Sequence, residues 1–449
     1  MARDPETPRT DRRRFLRDAG LAAGALLSGA ARGRTQKETR MKLRPDLLDE
    51  RSPKGIEVVQ LTTEADVPSS HLYMEAQVFT PDSKRFVLHR SATAHGGSKS
   101  DPKHQYLLCD IDNDCALSPL TNELGATAAS VSPDGKLVHY FVDETEVNGG
   151  GLTLKRVNLD GSARETVMVV DSALPGTGFC PSHLYPLSTI SSDGKRIALS
   201  CFLGDGQTDN APWGLMVFDI QAATVTLIIH GPSWCNMHPQ YSRSRDPVHR
   251  PDILIQENHD NAADARGNVT RLVGGVGADI HVIRDDGTNF RNMPWGRDGN
   301  EACQGHQCWR GRSEWAITST GTRQPPEAQL IEGRAAPFAG HVGIKTPGGV
   351  RNDLSRDFPN PHFYHFQTDI AGERLISDAG PFSVEASIWM GELGEPGKDA
   401  MRNWRYLLSP KSSCEKGSHI HPFLSPDGKL GFFNSDESGI LQAYMIRGL

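Results

Sequence analysis

Near the C-terminus, Ser418-His419-Ile420-His421-Pro422 runs into Phe423-Leu424-Ser425-Pro426-Asp427-Gly428-Lys429. In a strand, side chains at i and i+2 point the same way. A strand here presents His419 and His421 as two imidazoles on one side, the start of a metal site. Two histidines alone carry little weight, because a single histidine more often serves as a structural hydrogen-bonder. The case grows because other segments repeat the placement. His421 lies four residues before Ser425, His238 four before Ser242, His365 four before Asp369 and His306 three before Trp309. Neutral imidazole is the commonest protein metal ligand, and four convergent copies point to a metal on a common axis.

A repeat positions these residues. Its clear copies are Thr80-Pro81-Asp82-Ser83-Lys84, Ser132-Pro133-Asp134-Gly135-Lys136, Ser192-Asp193-Gly194-Lys195 and Ser425-Pro426-Asp427-Gly428-Lys429. Degenerate copies begin at Ser242, Trp309 and Asp369, so that seven units follow one another at steps of 50 to 67 residues. Short apolar runs follow the turns, such as Arg85-Phe86-Val87-Leu88 and Arg196-Ile197-Ala198-Leu199. Units of this length with several short strands are the signature of propeller blades. The expected fold is all-β, a seven-bladed β-propeller over residues 55–449, with Ile56–Leu61 supplying the strand that closes the ring. The strand before each turn is then innermost, and the histidines line the central channel. The identical tetrapeptides Ser70-His71-Leu72-Tyr73 and Ser182-His183-Leu184-Tyr185 are expected to bring His71 and His183 to one mouth of that channel. His89, His95, His104, His249 and His259 fall in loops or outer strands and read as surface residues.

Composition narrows the function. A net charge of -7 over 449 residues argues against a nucleic-acid partner, which needs a basic stripe. Beyond the N-terminus no run of 18 or more apolar residues marks a membrane span. The N-terminus reads as a twin-arginine export signal: Arg12-Arg13-Arg14-Phe15-Leu16 is followed by an apolar run and by small residues around Ser28–Ala31. Residues 1–35 are assigned to that signal and 36–54 to a loose linker, giving a periplasmic or secreted protein with no membrane attachment once the signal is cleaved. Cys109 and Cys115 are placed to bridge neighbouring strand ends in an oxidising compartment. There is no Gly-x-Ser-x-Gly elbow and no glycine loop for a phosphate.

At Met237-His238-Pro239-Gln240-Tyr241, Gly305-His306-Gln307-Cys308-Trp309, Tyr364-His365-Phe366 and His419-Ile420-His421-Pro422-Phe423 the sequence resembles the oligogalacturonate lyase family of seven-bladed propellers. The resemblance runs from about Ile56 to the C-terminus. It implies β-elimination on an acidic oligosaccharide, with His238 as base. It also implies a divalent cation, typically manganese, with calcium or zinc as alternatives, on His306, His419 and His421. The family carries a glutamine ligand where Lys416 stands here, and a lysine ammonium has no lone pair to give. His365, Glu415 or water is then expected to fill that position, with Lys416 pairing to a substrate carboxylate. Gln240, Arg310, His71 and His183 complete the expected substrate contacts. Two alternatives remain open: the same chemistry on another uronide, such as a rhamnogalacturonan fragment or ulvan, and an exported propeller that binds anionic sugars or a protein without chemistry.

Overall fold

Each repeat turn is closed by its own side chains. Ser132 Oγ donates to Asp134 Oδ1 at 2.6 Å and accepts the Leu137 N–H at 3.0 Å. Gly135 takes the positive φ, +69°, that the turn requires. Thr80 with Asp82 and Ser425 with Asp427 repeat the arrangement. In the third unit the equivalent hydroxyl belongs to Ser191, one residue earlier than the sequence pattern suggests. Asp369 plays the serine's part in the sixth unit, accepting the N–H groups of Glu373 and Arg374.

These turns reverse the chain between the innermost and second strands of seven antiparallel sheets, forming a seven-bladed β-propeller. The computed structural model describes residues 41–273, 277–297, 302–321, 340–346, 349, 351–358, 362–380 and 386–449. The expected signal peptide, residues 1–35, lies outside them. The second blade is typical: Ala126–Val131, Leu137–Glu146, Gly149–Asn158 and Glu165–Val170 run from the axis outward. The ring closes as expected, with Glu57–Gln60 paired antiparallel to Gln442–Arg447 in the seventh blade. This joins the two ends of the fold and leaves no open edge between first and last blades.

Within the expected linker, residues 41–54 pack on the fold. Lys42–Leu43 adds a fifth strand beside Gln60 and Val59. Arg44, itself buried, bridges Asp46 and Glu437 and donates to Gln60 Oε1 at 3.0 Å, while Leu47 is buried against the same blade. A buried guanidinium is tolerated because its donors are paired. Phe79, Phe86, Phe423 and Phe432 pack between the first and seventh blades, with Phe423 and Phe432 stacked at 5.1 Å. Burial of each such ring contributes roughly 1.5–3 kcal/mol. All eight cysteines are free, so the proposed Cys109–Cys115 bridge is replaced by a Cys109 thiol facing the Cys115 carbonyl at 3.8 Å.

Candidate metal centre and active site

The inner strands are not regular. Their pairing shifts between Thr127 and Ser130, between Leu184 and Ser188, between Cys303 and Gln307, and between Phe363 and Phe366. Bulges re-aim side chains that a flat strand would alternate between faces. Tyr185, His306, Tyr364 and His365 all lie within them. Gly305 at φ +81° makes one such kink, where an added Cβ would meet Gln256 at 2.9 Å. His238 and His421 reach the same level by another route, each in the left-handed region, at φ +50° and +46°, just before a two-residue inner strand. Positive φ is costly for a residue with a Cβ and concentrates at functional sites. The strand expected to hold His419 and His421 is thus absent: a 3-10 turn over Lys416–Ser418 leads into non-strand chain, and the two rings meet at 5.3 Å, perpendicular.

The four expected histidines do converge. The His365 ring lies 4.5 Å from His306 and 4.4 Å from His421, and Tyr73 bridges His421 at 4.5 Å to His238 at 5.0 Å. The tightest group of potential ligand atoms among the described residues differs from the expected set. His419 and His421 are joined by His95, with all three donor atoms within 4.8 Å of one another. His95, read from sequence as a surface residue, is half-buried on a loop of the first blade. Only its arrival from the loop after Ala94, whose N–H is held by the Gly417 carbonyl, brings it to the axis, and no motif marks that contact.

The residues present suit a cation. His95 Nε2, His306 Nδ1, His419 Nδ1 and both ring nitrogens of His421 are buried without a hydrogen-bond partner. Buried imidazole nitrogens left bare are costly, and each of these four rings, when neutral, has one lone pair to offer a cation. Burial keeps these rings neutral, as ligands must be: it pushes His95 down to about 3 and holds His306, His365 and His421 well below the usual range. His365 is oriented by Asp378, which lies 2.7 Å from Nδ1 and accepts the His365 backbone N–H at 2.7 Å. Burial raises Asp378 to about 8, so one proton is shared across this contact. A carboxylate behind an imidazole is the arrangement that orients metal-bound histidines.

His238 sits beside this group and is held at both nitrogens. Nδ1 lies 3.1 Å from Glu75 Oε2, and Nε2 lies 3.1 Å from the Tyr185 hydroxyl. Burial pushes Tyr185 and Tyr73 well above the ordinary phenol range, so both keep their protons. Glu75 is also raised by burial, against the attraction of His238. With the shared proton on Nδ1, Nε2 carries a lone pair and accepts the Tyr185 O–H. Sequence reasoning missed Glu75 and Tyr185. The signal was the repeated Ser-His-Leu-Tyr tetrapeptide, whose tyrosines rather than histidines reach the site.

Several expected contacts lie elsewhere. His71 is fully buried between the first and seventh blades, bonded to the Tyr444 carbonyl at 2.9 Å and edge-on to Phe423. His183 is exposed, with its ring edge-on to Trp213 at 6.1 Å. Gln240 is buried and donates to the Gln307 carbonyl at 2.6 Å. Arg310 spans the turn end of the fifth and sixth blades, held by the carbonyls of Gly372 and Gly394. Lys416 is exposed, close enough to His95 and His419 to disfavour their protonation, and has no ion-pair partner among the described residues.

No family model matches the chain, and no curated protein matches it. Solved structures do. One is an oligogalacturonate lyase in complex with manganese, with a TM-score of 0.65 and 17% identity over 92% of this chain and 97% of that one. Another is an oligogalacturonate lyase from Vibrio parahaemolyticus, with a TM-score of 0.63 and 15% identity over 91% and 96% of the two chains. At that identity the likeness establishes the fold: this chain is a seven-bladed propeller similar over nearly its whole length to those of oligogalacturonate lyases.

Proposed function

We propose that this chain is an exported lyase that cleaves oligomers of uronic acid, oligogalacturonate first among them, by β-elimination. The observation that carries the reading is the His238 imidazole, fixed by Glu75 and Tyr185 beside a cluster of neutral histidines suited to a divalent cation, manganese foremost. His95, His419 and His421 would hold the cation, with His306 and His365 adjoining. A cation bound there supplies Lewis-acid polarisation of the substrate carboxylate, which makes the neighbouring C5 proton more acidic.

The chain's own residues do the rest. Lys416 pairs with a uronate carboxylate at the rim. His238 Nε2 exchanges its hydrogen bond from Tyr185 for contact with substrate and takes the proton from C5. Histidine suits this task because its ordinary pKa, about 6.5, lies near working pH. The electron pair of the C5–H bond forms the C4–C5 double bond. The C4–O bond breaks, and the departing oxygen takes a proton from solvent. Glu75 stabilises the imidazolium that forms, as a carboxylate behind a catalytic histidine does.

The test is direct. Purified, metal-repleted protein is incubated with short galacturonates while the ultraviolet absorbance of the unsaturated product is followed, with and without a chelator. Chelator-sensitive absorbance is expected. A silent assay with metal bound would redirect the reading to another uronide, and a silent assay without metal binding would leave a sugar-binding propeller.

A further inference from the structure

The second mouth of the channel, at the turn end of the blades, holds a cavity of about 170 Å³ that all seven blades line. It is not the histidine site. From His238 to Arg243 the inner chain advances about 16 Å if extended, and buried Gln240, Gln307 and Gln367, on three of the inner strands, lie between the two levels. The cavity has two unlike halves. One is apolar, with Phe79, Val131 and Phe423 among its walls; the other carries the guanidinium groups of Arg243, Arg245 and Arg312. No aspartate or glutamate lines it.

Among the described residues none of these three arginines has an ion-pair partner. The one hydrogen bond from their guanidinium groups is a long contact, 3.5 Å, from Arg243 to the Thr368 carbonyl. Asp369 attracts Arg243 from the sixth blade, but its Oδ1 is occupied by the backbone N–H groups of Glu373 and Arg374. Burial disfavours the charge on Arg243, and Arg245 adds repulsion at Arg312. Three guanidinium groups facing one cavity with no carboxylate on its walls give that mouth a local positive charge, although the chain carries a net charge of -7. Arginine forks match oxyanions, and an engineered apolar cavity of about 150 Å³ accepts benzene.

We infer that this mouth binds a small organic anion, its carboxylate or phosphate held by Arg243, Arg245 and Arg312 and its apolar body seated against Phe79, Val131 and Phe423. The two headgroups share one chemistry, and the probes separate them. Calorimetric titrations of the mature, chelated protein at low salt use benzoate, phenyl phosphate and inorganic phosphate. Saturable binding of benzoate or phenyl phosphate is expected, at least tenfold tighter than inorganic phosphate, and weakened at least tenfold in the Arg245→Ala/Arg312→Ala double variant. Both of those side chains are exposed and unpaired, so the variant should keep the wild-type thermal midpoint. Binding should persist in His419→Ala, which separates this mouth from the histidine site. Absence of saturable binding, equal binding in the double variant, loss in His419→Ala, or inorganic phosphate binding as tightly as phenyl phosphate would each overturn the assignment. Lyase activity does not enter any of these readouts.

Discussion

Glu75 Oε2 lies 3.1 Å from His238 Nδ1, joining the first blade to the fourth across the channel. The contact decides which nitrogen of His238 is basic. Glu75 accepts the Nδ1 proton and leaves Nε2 to the Tyr185 hydroxyl, so the two partners fix both the ring's plane and its tautomer. The other carboxylate oxygen, Oε1, is buried without a partner. An arrangement this demanding of desolvation is hard to explain by stability alone.

Replacing Glu75 with Gln keeps the shape, removes the negative charge and puts an N–H donor in place of one carboxylate oxygen. An amide N–H pointing at Nδ1 stabilises the tautomer with the proton on Nε2, where it cannot act as base. We expect kcat on oligogalacturonate to fall at least ~100-fold, within the range for misplaced acid–base groups. His238→Ala should abolish turnover. In both variants metal content by mass spectrometry should match wild type. Loss of metal in His238→Ala would make that histidine a ligand and sink its assignment as base.

His95 gives a second expectation. If it ligates with His419 and His421, each alanine variant should lose metal, whereas removing His71 should not. His95→Ala is expected to weaken manganese binding at least tenfold in a competition titration with a chelating dye. Unchanged affinity would return the site to His306, His419 and His421. Thermal stability offers an independent readout, since a ligand bound only by the folded state raises the unfolding midpoint in wild type and less in the variant.

The order of turns told the ring, its seven units and even its closing strand, because hydroxyl–carboxylate turns and alternating apolar strands are local chemistry. The channel told less. His238, His306, His365 and His421 were legible because each lies three or four residues before its turn. His95 and Glu75 were not: one arrives on a loop and the other faces His238 from three blades away, and both contacts are made only when the ring closes. The tetrapeptides misled because a bulge hands the site to Tyr185, and Tyr73 reaches it just past the end of its strand, while His71 turns into the core. Arg310 was misjudged for a simpler reason. It lies beyond the tryptophan, at the turn end, past the level of the histidines. At the other end of the chain, Arg44 and Leu47 dock on the seventh blade through partners some 390 residues away in sequence, Glu437 among them.

Asp378 offers a test of the shell behind the cluster. It orients His365 through Nδ1 and through the backbone N–H. Were His365 to help hold the cation, Asp378 would keep the shared proton on Nδ1 and stay ionised behind the ring, which would strengthen the ligand. Asp378→Asn removes that charge. The expected result is a 10- to 100-fold loss of metal affinity with kcat recovered at saturating metal. Full affinity in the variant would show that His365 does not take part.

The fold itself should weaken in acid, and His341 isolates one cause. This histidine is fully buried, stacked on Phe363 at 4.8 Å, with Nε2 unpartnered and only a 3.4 Å contact from Nδ1 to Ser319. Burial lowers its pKa from 6.5 to about 3. Because the folded value is depressed, the unfolded chain binds a proton first as pH falls. The contribution to stability is complete above about pH 6.5 and declines below it, until the folded form also takes the proton near pH 3. One group changes the unfolding free energy by about 1.4 kcal/mol per pH unit within that window. In His341→Phe that slope is removed, whatever repacking the larger ring costs at neutral pH. Denaturant unfolding of chelated wild type and variant at pH 7.5, 5.5 and 4.5 compares the slopes without metal release contributing. His71, lowered to about 3, and His139, to about 4, keep the variant acid-sensitive. Its stability should still fall less steeply than wild type between pH 5.5 and 4.5, by about 1.4 kcal/mol per unit. Parallel slopes would mean that His341 is hydrated or already protonated in the folded chain.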